Sequence, residues 1–293
     1  MTSKNNEEAE IIIEKLYSEI DHILINSGTN PIVFYDDEYE PFELIEEIGS
    51  GYDGIIYKTN KNTVIKCNSV HTAKTAFLKN YEGSIITYTK KIKKFVNEYR
   101  IGKKINGGNG LFYKCYNFYL KLYKNNPFEL DIYIEFEFID HTLLRNYNIN
   151  PNEIQVFIDD VFKAAQFLMS IHIKWGDVHE SNVFVKKEHL LFIDYGRYKE
   201  TTDEVSMIYK LTANIIRVLE IILSRFFNNS VVTEILIPTA IFENIVAQSG
   251  IYMYKSLTKD ITSDILKKYN KNFFSVYHLY VINKTTFYIN QLI

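Results

Sequence analysis

Apolar residues recur at helical spacing at the start of the chain and at strand spacing soon after. Residues 6–25 (NEEAEIIIEKLYSEIDHILI) put Ile12, Leu16, Ile20, Ile23 and Leu24 on one helical stripe. Glu7 and Glu8 stand at its start, where the helix dipole favours acids. This helix is expected to pack on the domain that follows. From Glu43 to about Asp140 the pattern shortens to strands: ELIEEIG, GIIYKT and TVIKCN, the last two joined by a tight Asn-Lys-Asn turn. FYKCYNFYLKLY and DIYIEFEFI follow, separated by an Asn-Asn-Pro turn. Between the third and fourth strands, KKIKKFVNEYRIGKKI is helical and stops at Gly107-Gly108.

From about Asn152 the pattern is helical again. NEIQVFIDDVFKAAQFLMSIHI is amphipathic, two short apolar runs (NVFVK and HLLFID) form an expected hairpin, and helices resume at Asp203 and continue with breaks to about Tyr269. The aromatic, apolar tail from Lys271 (FFSVYHLYVI) is expected to pack on this helical part. No internal repeat, low-complexity tract or long linker interrupts the chain. The only composition shift lies near residue 140. The fold class is therefore α+β: a helical extension at 1–42, a strand-rich part at 43–139 and a helix-rich part at 140–293.

Composition narrows the function classes. With 46% hydrophobic and 24% charged residues the chain is globular rather than disordered or fibrous. A net charge of -3 argues against a broad nucleic-acid surface, which needs a basic face. Two cysteines, Cys67 and Cys115, make no disulfide scaffold and fit a reducing compartment. The polar, acidic start is unlike a secretory signal. The apolar stretches Leu211 to Phe227 and Val231 to Ala247 carry Arg217, Glu220, Arg225, Glu234, Glu243 and Pro238, so they read as core helices rather than membrane spans. An intracellular, cytoplasmic protein without a membrane span is the expectation. The 23 tyrosines and 20 phenylalanines point to a bulky core.

Three features carry chemistry. Gly49-Ser50-Gly51-Tyr52-Asp53-Gly54 is a GxGxxG between two strands, where glycines let backbone N–H groups approach phosphate oxygens. A dinucleotide fold would need a helix directly after it, and GIIYKT is a strand instead. Lys66 lies on the third strand, twelve residues after Gly54. A strand lysine ordinarily faces solvent, but under a glycine loop it could neutralise phosphate charge. The third feature is Trp175-Gly176-Asp177-Val178-His179-Glu180-Ser181-Asn182, followed by Asp194-Tyr195-Gly196. Each residue alone fits a polar loop with a capping aspartate. Together, two carboxylates and a carboxamide are hard oxygen ligands of the kind that suit Mg²⁺.

In this combination and order the chain resembles the protein-kinase-like fold family over roughly residues 43 to 226. The resemblance implies a two-lobed fold, with a strand-rich N-lobe, a helical C-lobe, and ATP between them under the glycine loop. It implies that Gly49, Ser50, Gly51 and Gly54 bind ATP, and that Lys66 contacts its α- and β-phosphates and pairs with a helix glutamate. Asp177 would be the catalytic base, and Asn182 and Asp194 the metal ligands. For the glutamate, Glu98 has the better amphipathic setting, 32 residues after Lys66, with residues 68–90 as an insertion. Glu82 is closer, but Gly83 weakens a helix there.

Departures from the family's pattern narrow the expectation. Trp175-Gly176-Asp177 replaces His-Arg-Asp, so the arginine that reads a phosphorylated activation loop is absent, and no Ala-Pro-Glu follows Asp194. Gly-Asp-x-His-x-x-Asn is more similar to atypical kinases and to aminoglycoside and choline kinases. Only about forty residues separate the hinge near Glu137 from Asp177, which leaves no room for the added helices of small-molecule phosphotransferases. The expected activity is an atypical Ser/Thr protein kinase using ATP and Mg²⁺ on a protein substrate. A small-molecule kinase and a nucleotide-binding pseudokinase are the alternatives.

Overall fold

Alternating apolar residues build a six-stranded sheet from β1 (Ile32–Tyr35), β2 (Leu44–Gly51), β3 (Gly54–Thr59), β4 (Thr63–His71), β5 (Cys115–Leu122) and β6 (Glu129–Glu137). The spatial order is β1-β5-β6-β4-β3-β2, antiparallel throughout except that β1 runs parallel to β5. The structure, a computed structural model, describes residues 2–51, 54–71, 74–176, 178–236 and 273–291. The protein is a mixed α+β fold that divides into two compact units. The first is Met1–Asn106 with Tyr113–Ile139, and the second is Gly107–Phe112 with Asp140–Ile293.

In the first unit the two faces of the sheet have different partners. Lys66, Ile134 and Phe118 are register partners and so share one face, and β5 and β6 contact the helix α3 (Tyr81–Ile105) that crosses it. On the opposite face Ile65, Tyr119 and Tyr133 are buried with Phe34 and Phe42. The ring of Phe42 meets Tyr119 and Tyr133 edge-on at 5.0 and 5.2 Å, the geometry favoured by the ring quadrupoles. The helix α1 (Thr2–Ser27) packs on α3 and buries Leu16, Ile20, Ile23 and Leu24. Residues 1–42 thus belong to the same unit as the sheet, because β1 extends it and Phe34 and Phe42 cover it.

Residues 68–90, expected as an insertion, are built mostly of regular elements. β4 continues to His71, a short helix α2 occupies Lys74–Lys79, and α3 begins at Tyr81, nine residues before the expected start. Asn80 caps α3 by accepting a hydrogen bond from the Gly83 backbone N–H. A Cβ on residue 83 would lie 2.6 Å from the Asn80 side chain, so the glycine that speaks against a helix by propensity makes room for its cap.

In the second unit, helix α4 (Ile154–Ser170) packs against α5 (Glu204–Leu223), each through a broad apolar face. A small sheet has the order β10-β9-β7, from β7 (Thr142–Leu143), β9 (Val183–Lys186) and β10 (His189–Phe192). β8 (Ile173–Lys174) pairs with β11 (Lys199–Glu200). Helix α6 (Asn229–Leu236) follows, and the aromatic tail forms a helix, α7 here, over Phe273–Ile289. It contacts α4 and α6, with Tyr277 Oη donating to the Leu236 carbonyl at 2.7 Å. The expected helices beyond Leu236 and before Phe273 lie outside the described residues. Among the described residues, no helix is long and apolar enough to cross a membrane.

The β9–β10 hairpin turns through Lys187 and Glu188, both left-handed at φ 50° and 63°. That is the two-residue geometry matching strand twist, occupied here by residues whose Cβ resists it. Replacing Glu188 with glycine is therefore expected to stabilise the fold by roughly 0.5–1 kcal/mol. Urea denaturation with an unchanged m-value checks this, and a loss of stability would show that the Glu188 side chain supports the turn.

Candidate functional site

Lys66 lies on β4 and Glu98 on α3, and the two are joined. Lys66 Nζ donates to Glu98 Oε1 at 2.8 Å and to Oε2 at 2.9 Å. Glu98 is fully buried and Lys66 is 8% exposed. Removing two charges from water costs several kcal/mol per ion, and only close, multiply hydrogen-bonded geometry offsets it. Glu82 sits in the first turn of α3 and is exposed. The Phe95 ring, one turn before Glu98, lies 6.0 Å from the Lys66 ammonium.

The glycines differ in what demands them. β2 and β3 pair from Leu44↔Thr59 to Gly51↔Gly54, so the motif is a hairpin end. Gly54 has φ 136°, and a Cβ there would lie 2.2 Å from the Cys67 carbonyl oxygen on β4. Its glycine is required by the sheet itself. Among the described residues, nothing lies within 4 Å of a Cβ at Gly51, and the nearest atom to one at Gly49 is Ile56 Cδ1 at 4.0 Å. Packing among the described residues asks for neither. Ser50 lies between them and pairs with Ile55.

The second unit brings together the loop at 175–182 and the Asp194 segment. The Ile193 backbone N–H donates to the Asn182 carbonyl at 3.0 Å, so Asn182 and Asp194 leave adjacent stretches of backbone. Gly176 is needed because a Cβ there would lie 2.6–2.7 Å from the backbone of Arg197 and Tyr198. Asp194 is left-handed at φ 63°, a strained conformation for a non-glycine residue. Its Oδ1 accepts from the Gly196 N–H at 3.1 Å, a local bond that supports the conformation. Tyr195 is fully buried, its ring 6.5 Å from Phe112 and 5.4 Å from Tyr198. His179 Nδ1 accepts from the Ser181 N–H and so caps the short turn ahead of Asn182. Asp177 itself lies outside the described residues. Among the described residues, no group of three or more His, Cys, Asp or Glu could hold a metal ion.

Two supporting residues escaped the sequence reading. Asn214 on α5 is buried and donates from Nδ2 to the Trp175 carbonyl at 3.1 Å, tying the start of the loop to the helix. Asp160 on α4 is 1% exposed, and its Oδ2 accepts from the Leu190 N–H at 2.9 Å. His189 Nδ1 lies 3.1 Å from the same oxygen, so Asp160 fastens the hairpin that separates Asn182 from Asp194. A polar residue on an apolar helical face is the only trace of either in the sequence. Burial pushes the Asp160 carboxyl above its ordinary value, against the opposing pull of the Leu190 N–H and His189.

Compared with protein-family models and with curated proteins, the chain matches none.

Two outcomes follow from these contacts. Gly54→Ala is expected to cost more than about 2 kcal/mol, and Gly51→Ala to stay within about 0.5 kcal/mol of the wild type by urea denaturation. Equal costs would refute the distinction. For Asp160, a raised folded-state pKa means the fold binds the proton more tightly than the unfolded chain. Its contribution is fully present below the ordinary 3.8 and is lost as pH rises through the raised value. Wild type should therefore lose stability relative to Asp160→Asn over that window. The opposite slope would mean that the hydrogen bonds outweigh burial.

Proposed function

We propose that the protein is an ATP-dependent phosphotransferase of the protein-kinase-like kind, with a two-lobed arrangement, that transfers the γ-phosphate to a protein hydroxyl. The observation that carries this reading is the buried pair between Lys66, on the strand after the glycine hairpin, and Glu98 on α3. A buried ion pair adds little net stability, so its presence calls for a role that uses the charge. A lysine held bidentate by a glutamate presents a fixed ammonium for the α- and β-phosphates. The open space beside Gly49 and Gly51 suits a close approach of phosphate to backbone.

The residues present also fit a divalent cation. Asn182 and Asp194 offer an amide oxygen and a carboxylate, hard donors of the type Mg²⁺ takes, from backbone stretches joined at 3.0 Å. Bound there, Mg²⁺ would supply neutralisation of charge on the phosphate oxygens. Asp177 is assigned the role of base for the acceptor hydroxyl. Asn214 and Gly176 set the course of the backbone on either side of the loop's entry.

A small-molecule acceptor is the second reading. It is favoured by the short link from Arg197 to Asp203, after which α5 begins at Glu204. So short a segment offers little extended surface for a peptide.

Incubation with γ-labelled ATP and Mg²⁺, with a generic protein acceptor, should give labelled protein. Asp177→Ala should lower the rate about a hundredfold or more. Label that reaches only amino sugars, choline or nucleosides would select the second reading. Nucleotide binding with no transfer to any acceptor would overturn both.

A further inference from the structure

Two arginines of the second unit meet at one turn and are used in opposite ways. Residues 141–152 (HTLLRNYNINPN) contain no acid, and Arg145 is their one fixed charge. The backbone there is held firmly. Thr142 and Leu143 pair with Val185 and Phe184 on β9, and Leu144 is fully buried. The Tyr147 N–H closes the turn onto the Leu144 carbonyl at 3.2 Å. Arg225, just beyond the end of α5, donates from Nη1 to the Tyr147 carbonyl at 2.6 Å and from Nη2 to the Leu144 carbonyl at 2.8 Å. Its guanidinium is given over to the backbone of the turn that presents Arg145.

Arg145 is left facing outward. Its side chain is exposed, and Nη1 donates to the Ser181 hydroxyl at 3.3 Å. That neutral bond leaves most of the guanidinium's five N–H donors in place and none of its charge compensated. The acids nearest in sequence to the two partners do not compensate it either. Glu153 accepts from Tyr147 Oη at 2.7 Å and from the Asn150 N–H at 2.8 Å. Among the described residues, neither Asp140 nor Glu180 forms an ion pair with Arg145.

An exposed arginine is ordinarily no more than solvated surface. Placement separates this one from that default. Ser181 stands four residues after Asp177 and directly before Asn182, so the guanidinium is fastened to the loop assigned to the acceptor hydroxyl and the cation. We infer that Arg145 is a specificity residue that binds a carboxylate beside the acceptor hydroxyl, so that the protein substrate is acidic around the phosphorylated residue. The inference rests on the phosphotransferase reading and adds the substrate's charge to it. The planar fork of Arg145 suits a carboxylate, and Ser181 limits the rotamers in which it waits. The four residues from Asp177 to Ser181 set its reach, which puts the acid within about four residues of the acceptor in an extended peptide.

Rates of transfer from Mg²⁺-ATP to three serine peptides, alike except for glutamate, glutamine or lysine flanks, test this at constant ionic strength. In the wild type, kcat/KM is expected to favour the glutamate peptide over the glutamine peptide by about tenfold or more, mainly through KM. Arg145→Lys should keep most of that ratio, Arg145→Gln should abolish it, and Arg145→Glu should turn the preference toward the lysine peptide. Loss of a merely structural tie would slow all three peptides together and leave their ratios unchanged. The inference is overturned if the wild type does not distinguish the glutamate from the glutamine peptide, or if its acid preference survives in Arg145→Gln. Transfer without acid preference overturns this inference alone, whereas no transfer to any acceptor overturns the phosphotransferase reading with it.

Discussion

Burial of the Lys66 and Glu98 charges is the constraint around which the first unit is built. Neither charge is tolerated alone away from water, so β4 and α3 must hold a separation that keeps both Nζ–Oε contacts at 2.8–2.9 Å. Much of the surrounding packing serves that requirement. α3 is capped by Asn80 at one end and by the left-handed Asn106 at the other, and it lies between the sheet and α1. The opposite face of the sheet is sealed by Phe34 and Phe42, so β4 is fixed from both sides. Both groups are thereby pre-positioned, a condition for electrostatic work in a low-dielectric setting.

The second unit solves a different problem: keeping two oxygen donors on adjacent backbone. The β9–β10 hairpin begins just after Asn182 and ends just before Asp194, and Ile193 closes its open end against the Asn182 carbonyl. Asp160 anchors the hairpin to α4, and Asn214 anchors the loop before it to α5. A strained Asp194 and a hairpin turn of two left-handed non-glycine residues are local costs within this frame. The proposed phosphotransfer gives such costs a reason, because metal ligands lose their value when they drift.

Much of this was legible in the sequence, for definite reasons. β3, β4, β5 and β6 show alternation or continuous apolar runs, and α4 and α5 show broad apolar stripes. β1 was not legible, since four residues, IVFY, have no period to detect and join the sheet through the long-range partner β5. The two-residue strands β7, β8 and β11 are equally silent. The early start of α3 was hidden by Gly83, whose role depends on the Asn80 cap rather than on propensity. Among site residues, motif order and spacing singled out Lys66, Asn182 and Asp194, and the amphipathic pattern around it singled out Glu98. Asp160 and Asn214 act through contacts 30 and 39 residues away in sequence, which no local pattern encodes.

The central claim is that the Lys66–Glu98 pair exists to meet nucleotide phosphates. Isothermal titration of Mg²⁺-ATP into the wild type and into the Lys66→Gln, Glu98→Gln double variant tests it most directly. The double variant removes both charges and keeps hydrogen-bonding groups, so neither charge is left buried alone. The account predicts saturable binding in the wild type and a loss of about tenfold or more in the variant, with the far-ultraviolet dichroism unchanged. Equal affinity in the two folded proteins, or no binding by the wild type, would contradict it.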